Sequence, residues 1–260
     1  QVITYIGDKE CANMDSALVT TQRCLIYNSL NKELYKKFFL TANEIEACKD
    51  GYIYIHDMSA RRDTMNCCLC DVGNVMKDGF EMGNLWYNEP KTLDTAFDVM
   101  GDIILSTAAQ QYGGFTVPEV DKILAPYAEK SYRKYKEEFK KYVDPDWELA
   151  DDRAEKYAMD KVRRDFDQGW QGIEYKLNTV GSSRGDYPFV TVTLGLGMER
   201  FEKMCSISLL EVHKEGQGRA GHKKPVLFPK IVFLYDEELH GQGKEGEDVF
   251  EAGIEKYKKT

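Results

Sequence analysis

No stretch of the 260-residue chain approaches 18 consecutive apolar residues, so nothing in it reads as a membrane-spanning helix. No charged segment is followed by an apolar one in the manner of a secretion signal. Positive charge is in short supply. The 35 Lys and Arg are outnumbered by 44 Asp and Glu, leaving a net charge of −9. That balance argues against a dedicated nucleic-acid binder, whose phosphate partner demands a basic surface. Repeats and low-complexity tracts are absent, and disorder is excluded by 42% hydrophobic and 12% aromatic residues in regular patterns. Seven cysteines is an odd number, and three of them crowd together at Cys67, Cys68 and Cys70. A disulfide framework is smaller and evenly stapled, so a reducing cytoplasm fits better. The chain opens at Gln1 and closes in a charged run from Glu255 that reads as an unfinished helix, so both ends read as cuts in a longer protein. The length suits one large domain or two small ones, and a single α/β barrel would fit.

Helical spacing covers residues 14–40, where Ile26, Leu30, Leu34 and Phe38 fall four apart. Thr41-x-x-Glu44 is a capping-box pattern that opens a short helix stopped by Gly51. Residues 52–55 alternate aromatic and β-branched types and predict a strand ending at His56. After a charged turn at Arg61, Arg62 and Asp63, the apolar run 65–72 predicts a second, buried strand. Leu93, Ala96, Met100, Ile104 and Ala108 form a helical stripe within 92–112, closed by Gly113 and Gly114. Thr116-x-x-Glu119, with Pro118 in the first turn, predicts a helix to about Tyr142 that Pro145 breaks. A third long helix, 147–177, carries Tyr157, Val162, Phe166 and Trp170, so that 116–177 reads as a long helical hairpin. Its charge runs read as solvated faces. A polar turn at 181–185 precedes a strand at 189–194, then Gly195-Leu196-Gly197, a helix over 199–213, a basic loop at 216–225 and a last strand at 226–235 interrupted by Pro229. Strands separated by long helices predict an α/β fold with crossover connections.

Several places could carry chemistry. On a strand, Cys67 would share a face with Met65 and Leu69, while Asn66, Cys68 and Cys70 take the other. Zinc needs four ligands, usually two spaced pairs, and no second Cys/His pair completes this cluster, so no metal site is assigned. The bland reading is that the cysteines are small buried hydrophobes. His56-Asp57 ends a strand, where a histidine often only satisfies a carbonyl. Glu89-Pro90-Lys91 precedes a helix whose N-terminus could hold a phosphate, although ordinary helix-start chemistry explains the same residues. Gly195-Leu196-Gly197 and the basic loop with Arg219, His222, Lys223 and Lys224 are equally open to an anion and to nothing.

These residues also carry a resemblance. The runs Tyr54-Ile-His-Asp-Met-Ser, Met65-Asn-Cys-Cys-Leu-Cys-Asp and Gly79-Phe-Glu-Met-Gly-Asn closely resemble the catalytic subunit of anaerobic (class III) ribonucleoside-triphosphate reductases. The likeness continues through Glu89-Pro-Lys-Thr, Gln111-Tyr-Gly-Gly, Val120-Asp-Lys-Ile-Leu-Ala-Pro-Tyr, Glu174-Tyr-Lys-Leu-Asn-Thr, Pro188-Phe-Val-Thr-Val, Leu194-Gly-Leu-Gly and Val226-Leu-Phe-Pro-Lys-Ile-Val-Phe. The motifs keep one order at compatible spacings from about Asp50 onward.

The resemblance implies a glycyl-radical enzyme on a ten-stranded α/β barrel, of which residues 1–260 are the N-terminal half. A C-terminal glycyl radical, generated by an S-adenosylmethionine/iron–sulfur activase, passes to a central-loop cysteine. The ribose 3′-hydrogen is then abstracted and the 2′-hydroxyl leaves as water. A second cysteine in an Asn-Cys motif joins the reduction, with formate or a thiol protein as reductant. The motif maps that cysteine onto Cys67, with Asn66 and His56 beside it, and places Glu89 and Lys91 at the effector nucleotide. The glycine, the central-loop cysteine and a zinc site of the family fall outside this chain, so the chain alone is expected to be inactive. The implied partners are ribonucleoside triphosphates, dNTP and ATP effectors, the activase and a second copy in a cytoplasmic homodimer, with neither nucleic acid nor membrane. The rival readings are a glycyl-radical enzyme of formate-lyase type and a module that only binds nucleotide or dimerises.

Overall fold

The computed structural model describes residues 18–61, 65–144 and 147–259. The chain is α/β with a parallel sheet. Strands β1 (Cys68–Leu69), β4 (Phe115–Val117), β5 (Val190–Leu194) and β6 (Lys230–Phe233) lie side by side in chain order, every pair parallel. An antiparallel hairpin, β2 (Phe80–Met82) and β3 (Leu85–Tyr87), stands apart from the sheet and has no counterpart in the sequence reading.

Helices fill the crossovers. The first two, α1 (Val19–Phe39) and α2 (Ala42–Lys49), precede the sheet, and α2 opens with the expected capping box between Thr41 and Glu44. Short α3 (Val72–Met76), the hairpin and α4 (Leu93–Ala108) join β1 to β4. The pair α5 (Val120–Lys140) and α6 (Ala150–Thr179) joins β4 to β5, and α7 (Arg200–Glu215) joins β5 to β6. The chain continues through α8 (Glu237–His240) and α9 (Glu247–Tyr257).

Among the described residues one sheet face is packed and the other is not. Phe115, Val117, Val190, Val192 and Leu194 are buried beneath the helices. In register on the opposite face lie Leu69, Thr116 and Thr191, then Thr193 beside Val232. The stripe Leu93, Ala96, Met100, Ile104 and Ala108 is buried as its spacing predicts, and so are Val162, Phe166 and Trp170 of α6. The two helices meet where the Phe97 ring stands edge-on to Trp170 at 4.9 Å. Gly169 makes that approach possible, because a Cβ there would overlap the Phe97 ring. Burying each such ring contributes roughly 1.5–3 kcal/mol. At the other end of α6, Asn178 Nδ2 donates to Phe228 O (2.7 Å) and its Oδ1 accepts from the Leu227 and Phe228 N–H groups, which fixes the entry to β6.

Several expectations fail for identifiable reasons. Residues 52–55 form no strand: Tyr52 and Tyr54 are exposed, and no described strand pairs with them. The run 65–72 yields only two strand residues, because Asp71 caps α3 by accepting from Asn74 N–H (3.0 Å) and Val72 turns into that helix. Thr116 is a β4 residue paired on both sides, not a helix cap, and α5 starts after Glu119 at a positive φ of 45°. Helix α4 ends at Ala108, short of Gly113 and Gly114. The α1 residues Ile26, Leu30 and Phe38 are exposed, and α1 docks instead through Thr21, Cys24 and Leu25. The Phe228–Pro229 peptide is cis, and β6 begins only after it, at Lys230. The run from Glu255 lies in the last turn of α9, which reaches Tyr257. Residues 14–17, Arg62, Asp63 and Pro145 lie outside the described residues.

Candidate active site

At the N-terminal edge of the sheet, four residues form one hydrogen-bonded chain. His56 Nδ1 contacts Asp57 Oδ2. Asn66 Nδ2 donates to the same carboxylate oxygen at 3.1 Å, and Cys67 Sγ–H donates to Asn66 Oδ1 at 3.4 Å. Asp57 sits at φ 54°, a left-handed conformation that Asp tolerates better than most residues and that turns its carboxylate back toward Asn66.

The sulfur is also held from the next strand. Gly114 N–H donates to Cys67 Sγ at 3.3 Å, and Gly113 N–H donates to Asn66 O at 2.6 Å. A Cβ on Gly113 would overlap both Asn66 Oδ1 and Cys67 Sγ, so the second strand can approach this closely only as glycine. Cys67 itself is exposed, together with Met65 and Leu69.

The neighbouring cysteines point the other way. Cys68 and Cys70 pack against the core, and Cys68 Sγ–H donates to Oε1 of the buried Gln111 at 3.3 Å. Burial pushes the Cys68 thiol above its ordinary value, and the neighbouring Cys67 adds to the effect. Burial does the same to Cys70, helped by Cys68 and Asp71. Both are held as thiols, which are poor nucleophiles and poor metal ligands. Among the described residues no group of three or more His, Cys, Asp or Glu is placed to hold a metal ion. The alternation expected of 65–70 therefore holds for the cysteines. It fails for Asn66, which sides with Cys67 because the strand begins only at Cys68.

Glu89 and Lys91 are not brought together. Glu89 pairs with Lys130 of α5 and accepts from Asp78 N–H at 3.4 Å, which lowers its carboxyl below the usual range chiefly through the Lys130 contact. It lines a groove of about 570 Å³ shared with Lys77, Lys122 and Lys130. Lys91 is exposed ahead of α4 and lies outside that lining. At the helix start, Leu93 N–H is already taken by Ser131 Oγ at 2.8 Å.

Gly195-Leu196-Gly197 is not free for a phosphate either. Asp121, fully buried, accepts from Gly195 N–H (3.0 Å), Gly197 N–H (3.3 Å) and Ser206 Oγ–H (3.1 Å). A side-chain carboxylate already occupies the place an anion would take. In the basic loop Lys223 is paired with Glu215, and Gln217 and Lys224 bridge each other. Pattern reading gave Asp57 no role of its own beside His56, took Gly113 only as a helix stop and passed over Asp121. All three lie inside the motif runs, yet their partners are 9 to 85 positions away in the chain.

The family model described as anaerobic ribonucleoside-triphosphate reductase matches residues 10–259. The chain belongs to that family. The enzyme of this name from Enterobacteria phage T4 is 36% identical over 230 residues, covering 88% of this chain and 36% of the phage protein. Those from Salmonella typhimurium and Escherichia coli are each 32% identical over 249 residues, covering 95% of this chain and 34% of theirs. The chain thus spans about a third of the length of the curated reductases it matches. Two crystal structures of the Thermotoga maritima anaerobic ribonucleotide reductase share the fold. The one with dATP bound in the specificity site has a TM-score of 0.59 at 14% identity, over 93% of this chain and 41% of that one. The one with citrate in the active site has a TM-score of 0.58 at 15% identity, over 92% and 42%. No described helix is long and apolar enough to cross a membrane.

Proposed function

We propose that this chain is the N-terminal half of the catalytic barrel of a reductase that converts ribonucleoside triphosphates into deoxyribonucleoside triphosphates. One observation carries the reading. Cys67 is an exposed thiol held on two sides at the edge of an uncovered sheet face, while Cys68 and Cys70 turn into the core. Parallel sheets are normally covered on both faces. The face bearing Leu69, Thr116, Thr191, Thr193 and Val232 is accordingly the inner wall of a ten-stranded barrel that further strands of the whole protein complete. The helical hairpin of α5 and α6 lies on its outer side.

In this reading the glycyl radical, raised by an S-adenosylmethionine-dependent activase outside this chain, supplies the one-electron oxidation that opens the reaction. This chain's own residues do the rest of the work near the ribose. Asn66 and the Gly114 N–H hold the Cys67 sulfur at a fixed point, so geometry controls its part in the reduction. His56, held at Nδ1 by Asp57, is the group that gives a proton to the departing 2′-hydroxyl. Formate or a thiol protein restores the electrons. Lys91, exposed ahead of α4 and apart from the Glu89–Lys130 pair, meets the phosphates of a dNTP or ATP effector at the face where two copies meet in the cytoplasmic homodimer.

The test is the whole enzyme assayed anaerobically with nucleoside triphosphate, reductant and activase. Cys67→Ser abolishes deoxynucleotide formation while nucleotide binding persists. Cys68→Ser costs only packing, about 1 kcal/mol, and turnover continues. Equal activity in the two variants overturns the assignment of Cys67. Deoxynucleotide made by the 260-residue chain alone overturns the half-barrel reading.

A further inference from the structure

Among the described strand residues of the parallel sheet, Lys230 alone is charged, and it stands on the open face. The register shows its neighbours. Leu69 is opposite Thr116, Thr116 opposite Thr191 and Thr191 opposite Lys230, so the four side chains form one row across β1, β4, β5 and β6. Among the described residues neither the Thr116 nor the Thr191 hydroxyl has a hydrogen-bond partner, whereas Thr193 Oγ1 is taken by the Glu119 N–H at 2.8 Å. The Lys230 ammonium lies 5.7 Å from the centre of the Phe228 ring, and no carboxylate pairs with it among the described residues. Burial, and after it the Lys230 charge, lowers the Lys256 ammonium below its ordinary value, so that charge is felt by its surroundings rather than neutralised.

A parallel sheet is covered on both faces, and a covered ammonium is costly unless an anion meets it. The row itself narrows that anion. One ammonium flanked by neutral hydroxyls matches a single negative charge, whereas a phosphate chain carries several and calls for several cations. Adjacent strands are about 4.8 Å apart, so Lys230 and Thr191 can donate to the two oxygens of one carboxylate, with Thr116 next along. A thiol is a weak acceptor and gains little from these donors. The row also begins beside the reactive sulfur: Leu69 follows Cys67 by two residues on the same face, about 14 Å of flat sheet from Lys230. Closure of the sheet into a barrel turns both side chains toward one interior. Taking the reductase reading as its basis, we propose that Lys230 and the Thr191 and Thr116 hydroxyls hold a small monocarboxylate reductant, of the size of formate, on the inner wall that carries Cys67. The row thereby selects a carboxylate over a thiol protein as the source of electrons.

The experiment compares the whole wild-type enzyme with Lys230→Gln, Lys230→Arg and Thr191→Val. Anaerobic reduction is measured against formate and against ribonucleotide concentration, and formate binding without turnover is followed by NMR of ¹³C-formate. Thermal unfolding monitors the fold. We expect the KM for formate to rise at least tenfold in Lys230→Gln, the NMR affinity to weaken in parallel and the KM for ribonucleotide to stay within twofold. Lys230→Arg, which keeps the charge, restores most of the affinity, and Thr191→Val moves it in the same direction as Lys230→Gln by a smaller factor. Formate KM and binding unchanged in Lys230→Gln, in an enzyme whose wild type reduces ribonucleotides, overturn the carboxylate site and leave the reductase reading standing. So does a wild type that works with a thiol protein and not with formate, or a Lys230→Gln whose defect lies in the ribonucleotide KM. Lost thermal stability with formate binding intact assigns Lys230 to a side-chain carboxylate and overturns the site as well. A wild type that makes no deoxynucleotide with either reductant brings down the reductase reading and, with it, the reductant assigned here.

Discussion

Asp57 decides which end of the Asn66 amide meets Cys67. A carboxylate only accepts, so Asn66 must turn its NH₂ toward Asp57, at 3.1 Å, and its Oδ1 is left to receive the Cys67 S–H at 3.4 Å. The consequence is testable with a substitution that spares the backbone. Glycine adopts the φ of 54° found at Asp57 without strain. Asp57→Gly therefore removes the carboxylate alone. We expect kcat to drop at least tenfold with nucleotide binding retained, and Asp57→Asn, which keeps one acceptor, to fall between this variant and the wild type. Full turnover in Asp57→Gly would show that the amide is oriented by something else.

What could be read beforehand was local, and what could not was set by distant partners. The α4 stripe and the α6 residues Val162, Phe166 and Trp170 obey a period that their own helices enforce. The opposed directions of Cys67 and of Cys68 and Cys70 follow from the two-residue period of extended backbone. Thr116 carries an equally good local signal for a cap, but pairing with Leu69 and Thr191 on either side outweighs it. Tyr52 and Tyr54 alternate like strand residues yet have no described strand to pair with, and periodicity cannot report a missing neighbour. Asp121 looks like any acidic residue in a first helical turn, and only the tertiary fold brings residues 195, 197 and 206 onto its carboxylate.

Gly113 is held to glycine by its neighbours across the strand gap. In Gly113→Ala the new methyl would overlap Asn66 Oδ1 and Cys67 Sγ and come within 2.9 Å of Asn66 O. The strands must separate or the Asn-Cys turn must shift, at a cost of about 1–3 kcal/mol. Urea denaturation reads that loss, and reduction by the whole enzyme should fall further than the stability change explains. A variant with native stability and activity would contradict the close packing of Gly113 on Cys67.

Asp121→Ala orphans three buried donors at once, the N–H groups of Gly195 and Gly197 and the Ser206 hydroxyl. Each unsatisfied buried donor costs roughly 1–3 kcal/mol, so a total loss of about 3 kcal/mol or more is expected, with a smaller one for Asp121→Asn. Chemical denaturation of both variants measures it. A cost below about 1 kcal/mol for Asp121→Ala would mean that water or another side chain already serves these groups.

Lys91 separates effector binding from simple helix capping. Its side chain is exposed before α4 and outside the groove that holds the Glu89–Lys130 pair. If it meets effector phosphates, Lys91→Ala in the whole enzyme narrows the difference in substrate choice between one dNTP effector and another and weakens dNTP binding several-fold. Unaltered selectivity returns Lys91 to the status of a solvated residue at a helix start.

The three clustered cysteines should separate by pH. Cys67 is exposed, while burial raises the Cys68 and Cys70 thiols above the ordinary value of 9.0. A thiol raised in this way carries less thiolate at pH 8 than it would in water, and its sulfur is also less accessible. Iodoacetamide at pH 8 should therefore modify Cys67 first, with Cys68 and Cys70 lagging and catching up only as pH climbs beyond 9. Stability follows the same sign. The folded state keeps protons on Cys68 and Cys70 that the unfolded chain has already lost, so these two groups make the fold less stable as pH rises through the unfolded value, and they contribute no pH dependence well below it. Mass-spectrometric mapping of alkylation against pH reads the order directly. Cys68 or Cys70 reacting as fast as Cys67 at pH 8 would place their sulfurs on the open face, and the division of labour among the three cysteines would fail with it.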